Sequence, residues 1–159
     1  MCGIYGIASR KSITNKLFHG LKKLEYRGYD SSGIAGISQD RKCLVIKSTG
    51  PINNLKKRLK TLPDIFTGIS HTRWATHGEP LLKNTHPHNS ETINIVHNGI
   101  IENHEDIRHF LKKKKYSLTS DTDSEVIAHL INYNYKKCND MRLALVAVSY
   151  THLTLPTKA

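Results

Sequence analysis

Cys2 follows the initiator Met1 directly, and cysteine is small enough for that methionine to be removed. Removal leaves a thiol and a free α-amine on one residue. An α-amine titrates at about 7.7 to 8.0, so its neutral fraction near pH 7 can accept the thiol proton. Nucleophile and base then coincide, and no separate histidine base is required.

Three further groups carry chemistry. Asn98-Gly99 follows an apolar run from Ile93 to His97. Its ordinary reading is a tight hairpin turn; its functional reading is a side-chain amide and a backbone N–H aimed at a developing oxyanion, with glycine permitting close approach. Spacing alone does not separate the two. The segment His71-Thr72-Arg73-Trp74-Ala75-Thr76-His77-Gly78 concentrates a guanidinium, hydroxyls, imidazoles and an indole. Arg73 there is either a surface ion-pair partner or a bidentate grip for a carboxylate. Asp121 and Asp123 precede a helical pattern, where Thr122 or Asp123 can cap the helix; one of the two aspartates can instead hold an ammonium. The histidines include His86, His88, His97, His104 and His109, but none forms a His-x-x-x-His pair with a carboxylate third ligand, so no metal is expected.

These groups need elements to hold them. Gly3 to Ala8 reads as a short buried strand that ties down the N-terminus, and Ile34–Ser38, Cys43–Thr49, Gly68–Thr72 and Ile93–His97 are four further strands. A helix is expected behind Ser12 to about Tyr26, stopped by Gly28. Others are expected over Ile52–Lys60, Glu102–Lys115 and Asp123–Lys137. Strands and helices mix without regular βαβ alternation, which favours layered α+β architecture.

Bulk properties narrow the class. A chain of 159 residues with 38% hydrophobic content is one domain's worth of core. No apolar run approaches the roughly 18 residues of a membrane helix, and no signal segment opens the chain, so a cytoplasmic protein is expected. Cys2, Cys43 and Cys138 are too few and too widely spaced for a disulfide framework. The net charge of +11 raises nucleic acid as a partner, but runs such as Lys112 to Lys115 lie at predicted helix ends without stacking aromatics and read as solvated faces. The stretch from Val148 to Thr157, VSYTHLTLPT, breaks with the helical pattern of Met141–Val146. It looks like an in-frame read-through of a sequencing-library adapter, so 148–159 is taken as a non-native tail and 1–147 as the partial domain.

The motifs MCGIYGI, LEYRGYDSSG, HTRWATHGEP, HPH, HNGIIENH and TDSEVIAHL, in this order and spacing, closely resemble the N-terminal glutaminase domain of the glucosamine-6-phosphate synthase family, the isomerising glutamine–fructose-6-phosphate aminotransferases. These are class II, N-terminal-nucleophile amidotransferases. The resemblance implies that Cys2 attacks the side-chain amide of glutamine, that Asn98 and Gly99 hold the oxyanion, that Arg73 binds the substrate α-carboxylate, and that Asp123 binds its α-ammonium. It places Trp74, Thr76 and His77 in a closing loop and has Arg27 and Gly28 support the nucleophile's terminus, beside their plain reading as a helix C-cap. It implies a four-layer αββα sandwich, here C-terminally truncated, and a glutamyl thioester route to glutamate and ammonia. The ammonia passes to fructose 6-phosphate in paired isomerase domains outside this chain. No cofactor is implied, and the full-length enzyme is expected to be a homo-oligomer. SDTDSE stands where the family usually has SETDTE, which adds Asp121. A purine- or asparagine-branch relative, or a basic nucleic-acid-binding module, are the competing expectations.

Overall fold

The computed structural model describes residues 2–60, 62–74 and 79–151, without the side chains of 150 and 151. Its first layer is helical. Helix α1 (Thr14–Lys23) and helix α2 (Asn53–Leu59) turn Leu17, Phe18, Leu21, Leu55 and Leu59 inward at helical spacing. Their apolar faces cover one side of an antiparallel sheet of β1 (Gly3–Ala8), β2 (Ser31–Ser38), β3 (Cys43–Thr49) and β4 (Ile65–Arg73), in the spatial order β1-β4-β2-β3. Ile13, Ile34, Ile52 and Ile65 complete that core.

The second half repeats the arrangement with less sheet. Strands β5 (His88–Ser90) and β6 (Ile93–Ile95) form an antiparallel pair. Helix α4 (Glu125–Cys138) covers them, and α3 (His104–Lys113) and α5 (Met141–Thr151) pack against α4; the core of this half holds Ile107, Leu111, Val126, Leu130, Ala144 and Val148. Two sheets between two helical layers constitute the expected α+β sandwich. Where the sheets meet, the contact is polar: His71 on β4 stacks on His86 at 4.2 Å, and His86 meets His88 of β5 at 4.4 Å.

Several boundaries differ from expectation. Strand β2 begins at Ser31 rather than Ile34, because its ladder with β4 extends to the Ser31↔Arg73 pair. The run expected as a strand to His97 ends at Ile95, and β5 was not anticipated, since His88–Ser90 is short and polar. Ser12 does not cap α1, whose N-cap residue is Ile13; its hydroxyl bonds Asp64 instead. Neither Thr122 nor Asp123 caps α4, which starts after Ser124. Gly28 has an extended backbone with φ 177°, so the left-handed helix C-cap is replaced by a different requirement, described below. Helix α5 continues to Thr151, so the first residues of the segment set aside above are helical, with Val148 in the core. Among the described residues no helix is long and apolar enough to cross a membrane.

Candidate functional site

Strand pairing sets the position of Cys2. Gly3 pairs with Thr72, and its N–H donates to Thr72 Oγ1 at 3.1 Å. Cys2, one residue before, therefore lies beside the end of β4, where the Trp74 N–H points at its sulfur across 3.3 Å. The sulfur faces a cavity of about 460 Å³ at one end of the polar seam between the sheets.

Arg73, the last residue of β4, lines that cavity and is only 4% exposed. Burial pulls its pKa below the ordinary arginine value while Cys2, Asp30 and Asp123 favour the charge, and a guanidinium stays protonated throughout. One of its amino groups donates to Glu79 O at 3.2 Å. Gly28 passes directly beneath: a Cβ there would sit 2.5 Å from the Arg73 carbonyl carbon and 2.7 Å from Trp74 N. That close approach, not a left-handed turn, is what the glycine supplies. Arg27 lines the same cavity, its Nε donating to Tyr26 Oη at 3.1 Å. Trp74, 43% exposed, stands edge-on to Tyr29 at 5.5 Å. Thr76 and His77, expected in a closing loop, lie outside the described residues.

The opposite wall comes from the loop between β6 and α3. Asn98-Gly99 is not a hairpin turn, because the chain leaves β6 and proceeds to α3 without returning along it. Asn98 Nδ2 donates to the backbone carbonyl of Cys2 at 3.1 Å, and Asn98 Oδ1 lies 2.8 Å from His71 Nε2. Gly99 packs on His97, whose Nε2 would be 2.7 Å from an added Cβ. Asp123 reaches the cavity from the turn before α4, but also accepts the Ile101 N–H at 2.7 Å through Oδ2 and the Ser124 hydroxyl at 3.1 Å through Oδ1. It thus braces the loop bearing Asn98. Asp121 points elsewhere, paired with Lys83 at 2.9 Å.

The structure therefore brings Cys2, Arg27, Arg73, Trp74, Asn98, Gly99 and Asp123 to one cavity, with two guanidinium groups and a carboxylate on its walls. A zwitterion with a reactive side-chain carbonyl is the ligand class that such a site complements. Sequence reasoning missed the buried imidazoles behind it. Burial pushes His71 down to about 4, against the opposing effect of its bond to Asn98. It pushes His88 to about 3, with Lys47 adding to the shift. His86 is lowered further by burial and by its imidazole neighbours, and His97 is lowered by burial against the pull of Asp123. All are neutral at pH 7. The HTR and HPH motifs displayed them, but only as metal-ligand candidates; among the described residues no three ligating side chains converge on a metal position.

With this sandwich and a cysteine beside its first strand, the chain is similar to the glutamine amidotransferases. A glutamine amidotransferase domain model matches residues 69–144. The chain is 49% identical over 156 residues to the glutamine–fructose-6-phosphate aminotransferase (isomerizing) of Buchnera aphidicola, covering 97% of this chain and 26% of the relative. It is 54% identical over 140 residues to the enzyme of that name from Wigglesworthia glossinidia brevipalpis, covering 86% and 23%, and 46% identical over 147 residues to that of Escherichia coli, covering 92% and 24%. The chain thus spans about a quarter of the length of these relatives. Among solved structures, glutamine phosphoribosylpyrophosphate amidotransferase from B. subtilis superposes with a TM-score of 0.73 at 23% identity, over 91% of this chain and 31% of that one. At that identity the likeness speaks for the fold.

Proposed function

We propose that this chain is the glutaminase part of a glutamine–fructose-6-phosphate aminotransferase, and that Cys2 is its nucleophile. The observation that supports this best is the convergence of Cys2 with the Asn98 amide, 3.1 Å from the Cys2 carbonyl oxygen. With Met1 removed, the α-amine takes the thiol proton and sulfur attacks the side-chain amide carbon of glutamine. Asn98 Nδ2 and the Gly99 N–H stabilise the oxyanion as the tetrahedral species forms. Arg73 and Asp123 hold the substrate α-carboxylate and α-ammonium, Trp74, Thr76 and His77 close over it, and Arg27 and Gly28 support the nucleophile's end. Expulsion of ammonia leaves a γ-glutamyl thioester, which water converts to glutamate. Ammonia then reaches fructose 6-phosphate in domains outside this chain, in a cytoplasmic, homo-oligomeric protein that needs no cofactor and binds no nucleic acid.

Residues 1–147 are in this reading a partial amidotransferase domain, inactive alone, and 148–159 a non-native tail, on the strength of the compositional break after Ala147. A genomic read across that point tests the boundary. For the activity, the full-length protein is expected to release glutamate from glutamine, and Cys2→Ala is expected to lower kcat by at least about a thousandfold. Retained activity in that variant would refute the assignment, and so would unchanged turnover after acetylation of the mature N-terminus.

A further inference from the structure

The Asn98 side chain has two fixed hydrogen-bond partners. Its Nδ2 lies 3.1 Å from the Cys2 carbonyl oxygen and its Oδ1 lies 2.8 Å from His71 Nε2. The Cys2 carbonyl oxygen can only accept, so the reversed amide would set two acceptors against each other. The amide nitrogen therefore faces Cys2 and Oδ1 faces His71, which obliges His71 Nε2 to carry the hydrogen. His71 itself cannot swing away. It is 1% exposed, stacks on His86 at 4.2 Å, and stands on β4 between Gly3's neighbour Ile4 and Gly33 in the two flanking ladders.

From this we infer that His71 is a positioning residue for the oxyanion donor: its Nε2–H holds the Asn98 amide with Nδ2 toward the nucleophile. The inference rests on the proposed glutaminase reading and extends it. When an oxyanion forms, it draws an Nδ2–H toward itself and competes with the Cys2 carbonyl oxygen for the amide group. The His71 bond is then the anchor that keeps the amide from turning its oxygen to the negative charge. The effect belongs to the step in which charge develops, so it acts on kcat more than on substrate affinity. Removing the hydrogen-bond partner that orients a metal ligand costs about 10- to 100-fold, and a loss of that order is expected when the amide of Asn98 loses its anchor.

The test compares three forms of the full-length protein: wild type, His71→Leu and His71→Gln. Glutamine places an amide N–H close to where the imidazole Nε2–H stands and keeps the donor, whereas leucine fills the space without one. Two readouts are taken, glutamine hydrolysis and the rate at which iodoacetamide alkylates Cys2, followed by peptide mass mapping. Alkylation is a direct displacement at carbon that forms no oxyanion, so it reports an intact, exposed nucleophile. The expected result is a kcat for His71→Leu lower by about 10- to 100-fold with KM within about twofold. Cys2 alkylation is expected to match wild type, and His71→Gln to recover most of kcat. The inference is overturned if His71→Leu keeps its kcat, if kcat and alkylation fall together, or if His71→Gln is as poor as His71→Leu. Wild-type protein that alkylates at Cys2 yet hydrolyses no glutamine would instead sink the glutaminase reading, and this inference with it.

Discussion

The two walls of the cavity are built in different ways. Cys2 and Arg73 sit at the ends of β1 and β4, where consecutive backbone pairs from Gly3↔Thr72 to Ala8↔Thr67 fix their relative position. Asn98, Gly99 and Asp123 sit on loops, held by side-chain bonds: Asn98 to His71, Asp123 to the Ile101 N–H, His97 Nδ1 to Ser124 Oγ at 3.0 Å. A ladder shares its load over many hydrogen bonds, so no single side chain decides where Cys2 stands. A loop braced by three or four polar contacts is sensitive to each of them. The strand wall carries a thiol and a guanidinium, and the loop wall carries an amide, a glycine backbone and a carboxylate.

The largest effect is expected on the loop wall. Asn98→Ala should lower kcat of the full-length protein by about a hundred- to a thousandfold, the range for loss of one oxyanion donor, with the thermal midpoint near that of wild type; an intact kcat would mean that Gly99 alone carries the charge. Asp123→Asn separates the two duties of that residue. Its amide oxygen can still accept the Ile101 N–H, so the loop stays braced while the ammonium partner is lost. Steady-state kinetics should show KM for glutamine rising about 10- to 100-fold with a smaller change in kcat. A collapse of kcat alone would show that bracing, not substrate binding, is the main task.

On the strand wall the sensitive point is backbone contact. Gly28→Ala puts a Cβ into the Arg73–Trp74 peptide and should cost about 1–3 kcal/mol of stability, read by urea unfolding. No loss would mean that the segment from Glu25 to Asp30 yields easily.

A further effect is graded with pH and belongs to the seam joining the walls. His71 and His88 have folded-state values of about 4 and about 3, below the ordinary 6.5. Between those values and 6.5 the unfolded chain binds the extra protons, so stability is complete above pH 6.5 and declines as pH falls toward 4. The slope is about 1.4 kcal/mol per pH unit for each histidine. Unfolding midpoints measured from pH 7 to 4.5 should fall accordingly, and His88→Gln should make the decline shallower. An unchanged slope would place the lost protons on other groups.

Much of this was legible in the amino-acid order. Strands β1 and β3 fall on their expected bounds, and the helices lie within about two residues of expectation except at the ends of the first and the last, because alternation and helical spacing report which face is buried. Cys2, Arg73, Asn98 and Asp123 stood out by residue type and by their places at the ends of elements. What stayed hidden were relations across the chain. His71 reaches Asn98 over 27 positions, and Asp123 reaches Ile101 over 22. Neither local propensity nor period carries information about which residues a sheet register will set side by side.

Asn98-Gly99 shows the division most plainly. The dipeptide by itself allows a hairpin turn or an oxyanion site, since both need the same permissive backbone. The tertiary structure excludes the hairpin, because β6 pairs back to β5 and leaves the dipeptide beside Cys2. The order of residues thus determined which groups can do chemistry and which elements carry them. Packing of the two sheets against each other decided which of those groups meet, because hydrogen bonds and charge act over a few ångströms of space whatever the distance along the chain.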